Sequence, residues 1–165
     1  MFTNVRFPAV LVGLTLAGAL PAAAQDSIKV TTARVYDGQF RPIQQASGGV
    51  GIRGSQRIFG QVKIATRESS ERVKVTLMIN TSLNQTEILN WSVNSGRCGS
   101  GTVPLMPIAQ FQGIEMSTNG RGELDIPEMP LSIPPNSGAL HVNVYRGGTG
   151  LENVIACSNL KLNEK

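Results

Sequence analysis

The side chains that could carry chemistry in this sequence are few. It holds a single histidine, His141, and two cysteines, Cys98 and Cys157. His141 is the only imidazole that could act as a general base or a metal ligand. It stands in Leu140-His-Val-Asn-Val144, so on a strand it faces away from Leu140 and Val142. That reads as an exposed or hydrogen-bonded strand histidine. No carboxylate or marked nucleophile accompanies it, so no Ser-His-Asp arrangement can be specified. Met78, Met106, Met116 and Met129 offer thioethers of the kind cuprous copper accepts, but they are scattered and packing is their expected role. Glu123 and Asp125 share one strand face and could hold a hard cation weakly; solvated surface is the expectation. Gly147-Gly-Thr-Gly150 lacks the strand–loop–helix setting and the trailing Lys of a phosphate loop, and reads as a turn. Asn80, Asn84 and Asn90 head Asn-x-Ser/Thr sequons, which matter only where a glycosylation machinery exists. No catalytic, cofactor-binding or metal-binding residue is assigned.

The two cysteines gain meaning from the N-terminus. Arg6 closes a short n-region, and an apolar run from Ala9 to Leu20 follows. The run is too short to span a bilayer, which takes about 20 residues. Pro21 breaks it, and Ala22-Ala-Ala24 supplies small residues before the polar Gln25-Asp26. This is the pattern of a cleavable signal peptide over residues 1–24, cut between Ala24 and Gln25. No cysteine follows the cut, so a lipid anchor is not indicated. No second apolar stretch of spanning length exists, so no stable membrane insertion is expected after cleavage. The segment has a bacterial style, which places the mature protein in the periplasm or outside the cell. In such a compartment two cysteines read as one disulfide, Cys98–Cys157.

Residues 25–165 then form one domain of roughly 140 residues, large enough for its own core. The formal net charge is +4 and aromatics are 5% of the chain. Arg53, Arg57, Lys63, Arg67, Arg72 and Lys74 are interspersed with acids and polar residues, without the clustering that nucleic-acid binding needs.

No apolar pattern of helical period lasts three turns, whereas period-two alternation recurs. Candidate strands cover residues 27–36, 57–66, 72–80, 86–94, 139–145 and 154–162. In the third, Val73, Val75, Leu77 and Ile79 share one face. In the fourth, Ile88, Leu89, Trp91 and Val93 are candidate core residues. Residues 66–71 make a polar hairpin loop, and Asn119-Gly120 marks a second hairpin. Residues 126–135 contain too many prolines for a central strand and read as a loop or edge segment. Residues 39–55 are the least patterned. Seven or eight short strands with turn signals between them predict an all-β fold, a Greek-key β-sandwich or flattened barrel with one disulfide.

The C-terminal half resembles a known family. Gly138-Ala-Leu-His-Val-Asn-Val-Tyr-Arg-Gly-Gly-Thr-Gly150, followed by Val154-Ile-Ala-Cys-Ser-Asn-Leu160, is similar to the end of the copper/zinc superoxide dismutases. Trp91-Ser-Val-Asn-Ser-Gly-Arg-Cys-Gly99 resembles that family's His-x-His…Gly-x-Cys segment. The likeness spans residues 57 to 163. A weaker likeness is to chordin-type (CHRD) sheet domains, which are not built around this disulfide. The departures carry as much information. The resemblance puts Ser92 and Asn94 at the His-x-His positions, Tyr145 at the last copper-ligand histidine, and Val154 at the substrate-guiding arginine. One histidine cannot build a copper or zinc site, so dismutase activity is not expected. The resemblance implies an exported, non-enzymatic binding or structural domain whose partner is an unspecified envelope protein or ligand. The alternative is a copper-handling protein or residual redox enzyme using His141 and the methionines.

Overall fold

Among the described residues the alternation of apolar and polar residues lays down ten β-strands, with two single-turn 3-10 segments, Ile108–Gln110 and Leu151–Asn153. The structure is a computed structural model and describes residues 34–43, 57–67, 70–80, 85–100, 103–134 and 137–163. The expected signal peptide, its Ala24–Gln25 cut and most of residues 27–36 lie outside the described residues. So do residues 44–55 of the least patterned stretch and the Asn84 sequon.

The strands are β1 (Val35–Gln39), β2 (Arg41–Pro42), β3 (Ile58–Thr66), β4 (Glu71–Ile79), β5 (Glu87–Ser95), β6 (Val103–Pro104), β7 (Ile114–Met116), β8 (Arg121–Met129), β9 (Leu140–Tyr145) and β10 (Val154–Asn163). They pair in the order β1-β3-β4-β8-β7-β5-β9-β10, and β1 also pairs with β10, which closes an eight-stranded antiparallel barrel. β2 adds to β10 and β6 to β5 at the rims. Strands β5, β7 and β8 lie side by side in sequence order, with β9 returning beside β5 and β4 beside β8. These are two overlapping Greek keys. Closure pairs each of the eight strands on both sides, although β7 is short and leaves β8 beyond Gly122 paired with β4 alone.

The interior is filled from every wall. Val62 and Ile64 of β3, Val73, Val75, Leu77 and Ile79 of β4, Leu89, Trp91 and Val93 of β5, and Val142 and Val144 of β9 are all buried. The Trp91 Nε1–H donates to the Gln112 carbonyl at 2.7 Å, and Phe111 meets its ring edge-on at 4.8 Å. Both contacts are of the kind a buried indole needs.

Two expectations change, and one left open is decided. Ile88 is not core: it is 66% exposed, because Leu89, Trp91 and Val93 take the inward phase and leave Ile88 on the outer face opposite Glu115. Residues 126–129 are the expected edge segment and not a loop: they end β8 and pair with β4 alone, because β7 meets β8 only at Met116 and Gly122. The ladder with β4 slips between Glu71 and Val73, and the extra residue of that bulge accommodates Pro127, whose missing N–H would otherwise break a regular ladder. Glu71 belongs not to a loop but to the first position of β4, buried and inward. The Asn119-Gly120 hairpin forms between β7 and β8. Gly120 takes φ +75° there, a value that favours glycine.

Candidate functional site

One wall of the barrel departs from the rule that outward positions are exposed. On β5, β9 and β10 the outward residues include Ser92, Asn94, His141, Asn143, Tyr145 and Cys157, all buried. The register explains how they meet. Ser92 lies opposite Asn143 and Asn94 opposite His141; on the other side of β9, Asn143 lies opposite Cys157 and His141 opposite Asn159.

Buried polar groups must find partners, and most of these find each other. Ser92 Oγ and Tyr145 Oη share a hydrogen bond of 2.9 Å. The Asn94 amide donates to Ser92 Oγ at 2.9 Å and to the Ser92 carbonyl at 3.2 Å. Asn143 Nδ2 reaches Tyr145 Oη at 3.5 Å. At the margin of this wall, Arg146 grips Glu87 through two bonds of 2.7 Å.

His141 is the exception. Its side chain is 0% exposed, and neither ring nitrogen makes a hydrogen bond. The expectation of an exposed strand histidine is therefore overturned, and the one polar group near the ring is the Gly96 backbone, outside good hydrogen-bond geometry. Alternation correctly turns His141 outward, but the chain that follows β5 runs over this face. Desolvation holds its imidazole below the ordinary value; the nearby Gly96 backbone favours the protonated ring, and desolvation outweighs it. The sign of the consequence follows from linkage. Above the unfolded-state value of about 6.5 the ring is neutral in both states and costs nothing extra. As pH falls below that value the unfolded chain takes up the proton first, so stability drops by up to about 1.4 kcal/mol per pH unit until the folded-state value is reached. His141→Gln should flatten this part of a stability–pH profile between pH 7 and 5. A wild-type profile identical to that of the variant would refute the assignment.

The other candidates lie elsewhere. Met106, Met116 and Met129 are in the core, while Met78 points outward from β4. β4 is four strands from β9 in either direction around the barrel, so Met78 cannot approach His141. Met78 instead borders, with Phe59 and Arg121, an open groove of about 290 Å³ on the opposite wall. Asp125 pairs with Arg72 at 2.8 Å and Glu123 with Lys74 at 2.9 Å. These hydrogen-bonded cations hold both carboxyls below their ordinary range and occupy the acceptors a hard cation would need. Among the described residues no group of three or more His, Cys, Asp or Glu converges in a way that could hold a metal ion. Residues 147–150 form a turn, with Gly147 at φ +77°.

The cysteines are joined, Cys98 to Cys157, with Cα atoms 5.9 Å apart. Among the described residues no helix is long and apolar enough to cross a membrane. Two contributions are not legible from the sequence: Asn143 as part of the cluster, and Asn159, whose Oδ1 accepts the Cys98 N–H at 2.8 Å. The one signal for Asn143 is its place two residues from both His141 and Tyr145, on the same face. Neither the protein-family models nor the curated proteins contain a match to this chain.

Proposed function

We propose that this chain is an exported, non-catalytic binding or structural domain of the cell envelope. In this reading it is built on a dismutase-type barrel in which hydrogen-bonding side chains have taken over the copper-ligand positions. The observation that carries the reading is the meeting of Ser92, Asn94 and Tyr145. The resemblance assigns all three to ligand positions, Ser92 and Asn94 in one segment and Tyr145 53 residues from Ser92, and the two segments come together on one buried patch. Positions matched by chance have no reason to converge. Their donors and acceptors are spent on one another, and a hydroxyl, an amide and a phenol are poor substitutes for imidazoles toward copper or zinc. Fold analogy alone cannot name what the domain binds. The alternative of a copper-handling protein lacks a ligand set, because the methionines sit in the core or on the far wall. The disulfide favours an oxidising compartment.

The test is metal analysis of protein purified without chelators, after copper and zinc have been added and the excess removed. The expected result is far less than one metal per chain. Near-stoichiometric copper would overturn the reading. The export half is tested separately by sequencing the N-terminus of protein recovered outside the cytoplasm. It should begin at Gln25, and an N-terminus at Met1 would remove the export argument.

A further inference from the structure

We propose that the disulfide-tied turn of residues 96–100 is a latch over His141, released by reduction of Cys98–Cys157, so that a thiol reductant converts a sealed histidine into an accessible one. This goes beyond the proposed function and does not depend on it.

The basis is topological. The chain leaves β5 at Ser95, and Gly96 N–H still bonds to the Ala139 carbonyl at 2.7 Å. Two residues later Cys98 is fixed to β10, covalently to Cys157 and by its N–H to Asn159 Oδ1 at 2.8 Å. β9 lies between β5 and β10, so the turn must cross β9. Cys157 and Asn159 are outward residues opposite Asn143 and His141, so the crossing is on the outer face, at the level of His141. Gly96 holds φ +91° at its start, which favours glycine. His141 is thus sealed by a short piece of chain tied down at both ends, and its nitrogens are left without partners. A group held this way gains solvation whenever the strap lifts.

Apart from the Gly96 backbone of the turn itself, no polar group is placed to hold the ring. Its cross-strand neighbours are Asn94 and Asn159, and Asn143 and Tyr145 follow it on β9. The turn carries Arg97, and β10 continues to Lys161, both exposed. Among the described residues of these elements no carboxylate faces His141. In the release step a reductant thiolate attacks Sγ of Cys98, the less buried cysteine, breaking the S–S bond; a mixed disulfide forms on Cys98 and Cys157 leaves as a thiolate that takes up a proton. A second reductant thiol then displaces Cys98. The products are two cysteine thiols and one oxidised dithiol, a transfer of two electrons and two protons. The Asn159 contact and one backbone bond are then all that hold the turn among the described interactions.

Because the sequence has one histidine, the ultraviolet absorbance of the N-carbethoxyimidazole formed by diethyl pyrocarbonate and the imidazole proton resonance both report on His141 alone, unaffected by lysines or freed thiols. Full-length protein would be compared before and after treatment with a dithiol, with Trp91 emission as the check on the barrel. The expected result is a rise in acylation rate on the order of ten-fold, as local opening without global unfolding predicts, together with a titration midpoint that moves up toward the ordinary histidine value. Trp91 emission should stay unchanged. An unchanged rate and midpoint in the reduced, folded protein overturns the proposal. If reduction unfolds the barrel, Asn159→Ala with the disulfide intact decides. A rate raised several-fold supports the latch, and a wild-type rate overturns it.

Discussion

Cys98→Ser should lower the free energy of unfolding by about 4 kcal/mol. The bridge joins residues 59 apart, and by chain-entropy reasoning a loop of that length restricts the unfolded chain by about that amount. The same reasoning fixes a second observable. Without the bridge the unfolded ensemble expands and exposes more surface, so the urea dependence of the unfolding free energy should steepen as the midpoint falls. The two cysteines are not equivalent. Cys157 is buried on β10, whereas Cys98 is half-exposed on a turn. Cys98→Ser leaves Cys157 as a buried thiol that packs as a small apolar group. Cys157→Ser leaves a buried hydroxyl in its place and should cost more. Urea unfolding of the two variants and wild type at neutral pH measures all three effects. A Cys98→Ser midpoint equal to that of wild type sinks the claim. Domains of this size have unfolding free energies of roughly 5–15 kcal/mol, so the expected loss is compatible with a barrel that stays folded when the bridge is reduced.

The parts of the fold legible in the sequence are those where one physical signal dominates. Val73, Val75, Leu77 and Ile79 alternate against polar neighbours, and each is buried in β4. The same alternation, continued one step back, reaches Glu71 and puts it on the inward face. Its charge argues for a loop instead, and here the phase wins over the charge. Ile88 shows the converse, an apolar residue that its phase sends outward. The outer wall of β5, β9 and β10 is illegible for a different reason. Period two tells which side of the sheet a residue occupies, not whether another segment covers that side. That His141 is sealed depends on a turn brought over it by a cysteine partner 59 residues away, a long-range fact that no local pattern encodes. Residues 126–129 obey the proline rule, which admits edge segments and bulges; the sequence leaves open loop or edge, and the pairing with β4 decides for the edge.

Glu71→Ala should cost about 3 kcal/mol, and the reason lies in two backbone amides. Glu71 Oε2 accepts the Leu131 N–H at 3.0 Å and Oε1 accepts the Ile133 N–H at 3.2 Å. Both amides belong to the connection between β8 and β9, whose Leu131 and Ile133 side chains are buried in the core. Between them Ser132 adopts φ +51°, the only positive φ outside glycine among the described residues. Successive amides flanking such a residue form a small anion-binding concavity, here filled by a buried carboxylate. Hydrogen bonds to a charged group contribute about 1.5–3 kcal/mol each, and a buried donor left unpaired adds its desolvation penalty. The sum is tempered because the Leu131 N–H also reaches the Met129 carbonyl at 3.0 Å, so only Ile133 is stranded outright. Glu71→Gln keeps one acceptor and points an amide N–H₂ at a backbone donor, so it should lose about half as much as Ala. Ser132→Gly removes the left-handed penalty while adding unfolded-state entropy, two contributions of about 1 kcal/mol that oppose each other, so its stability should stay close to that of wild type. The ordering Ala below Gln below Gly, read from urea unfolding at neutral pH, distinguishes an anion clamp from simple packing. Packing alone would make Gln, close in volume to Glu, indistinguishable from wild type. The clamp also bears on the candidate site. The segment it holds feeds directly into β9, so the register that brings His141 beside Asn94 and Asn159 starts from a connection pinned by Glu71. Glu71→Ala should therefore raise the acylation rate of His141 in the oxidised, folded protein, and no packing deficit confined to the far end of β4 would do that.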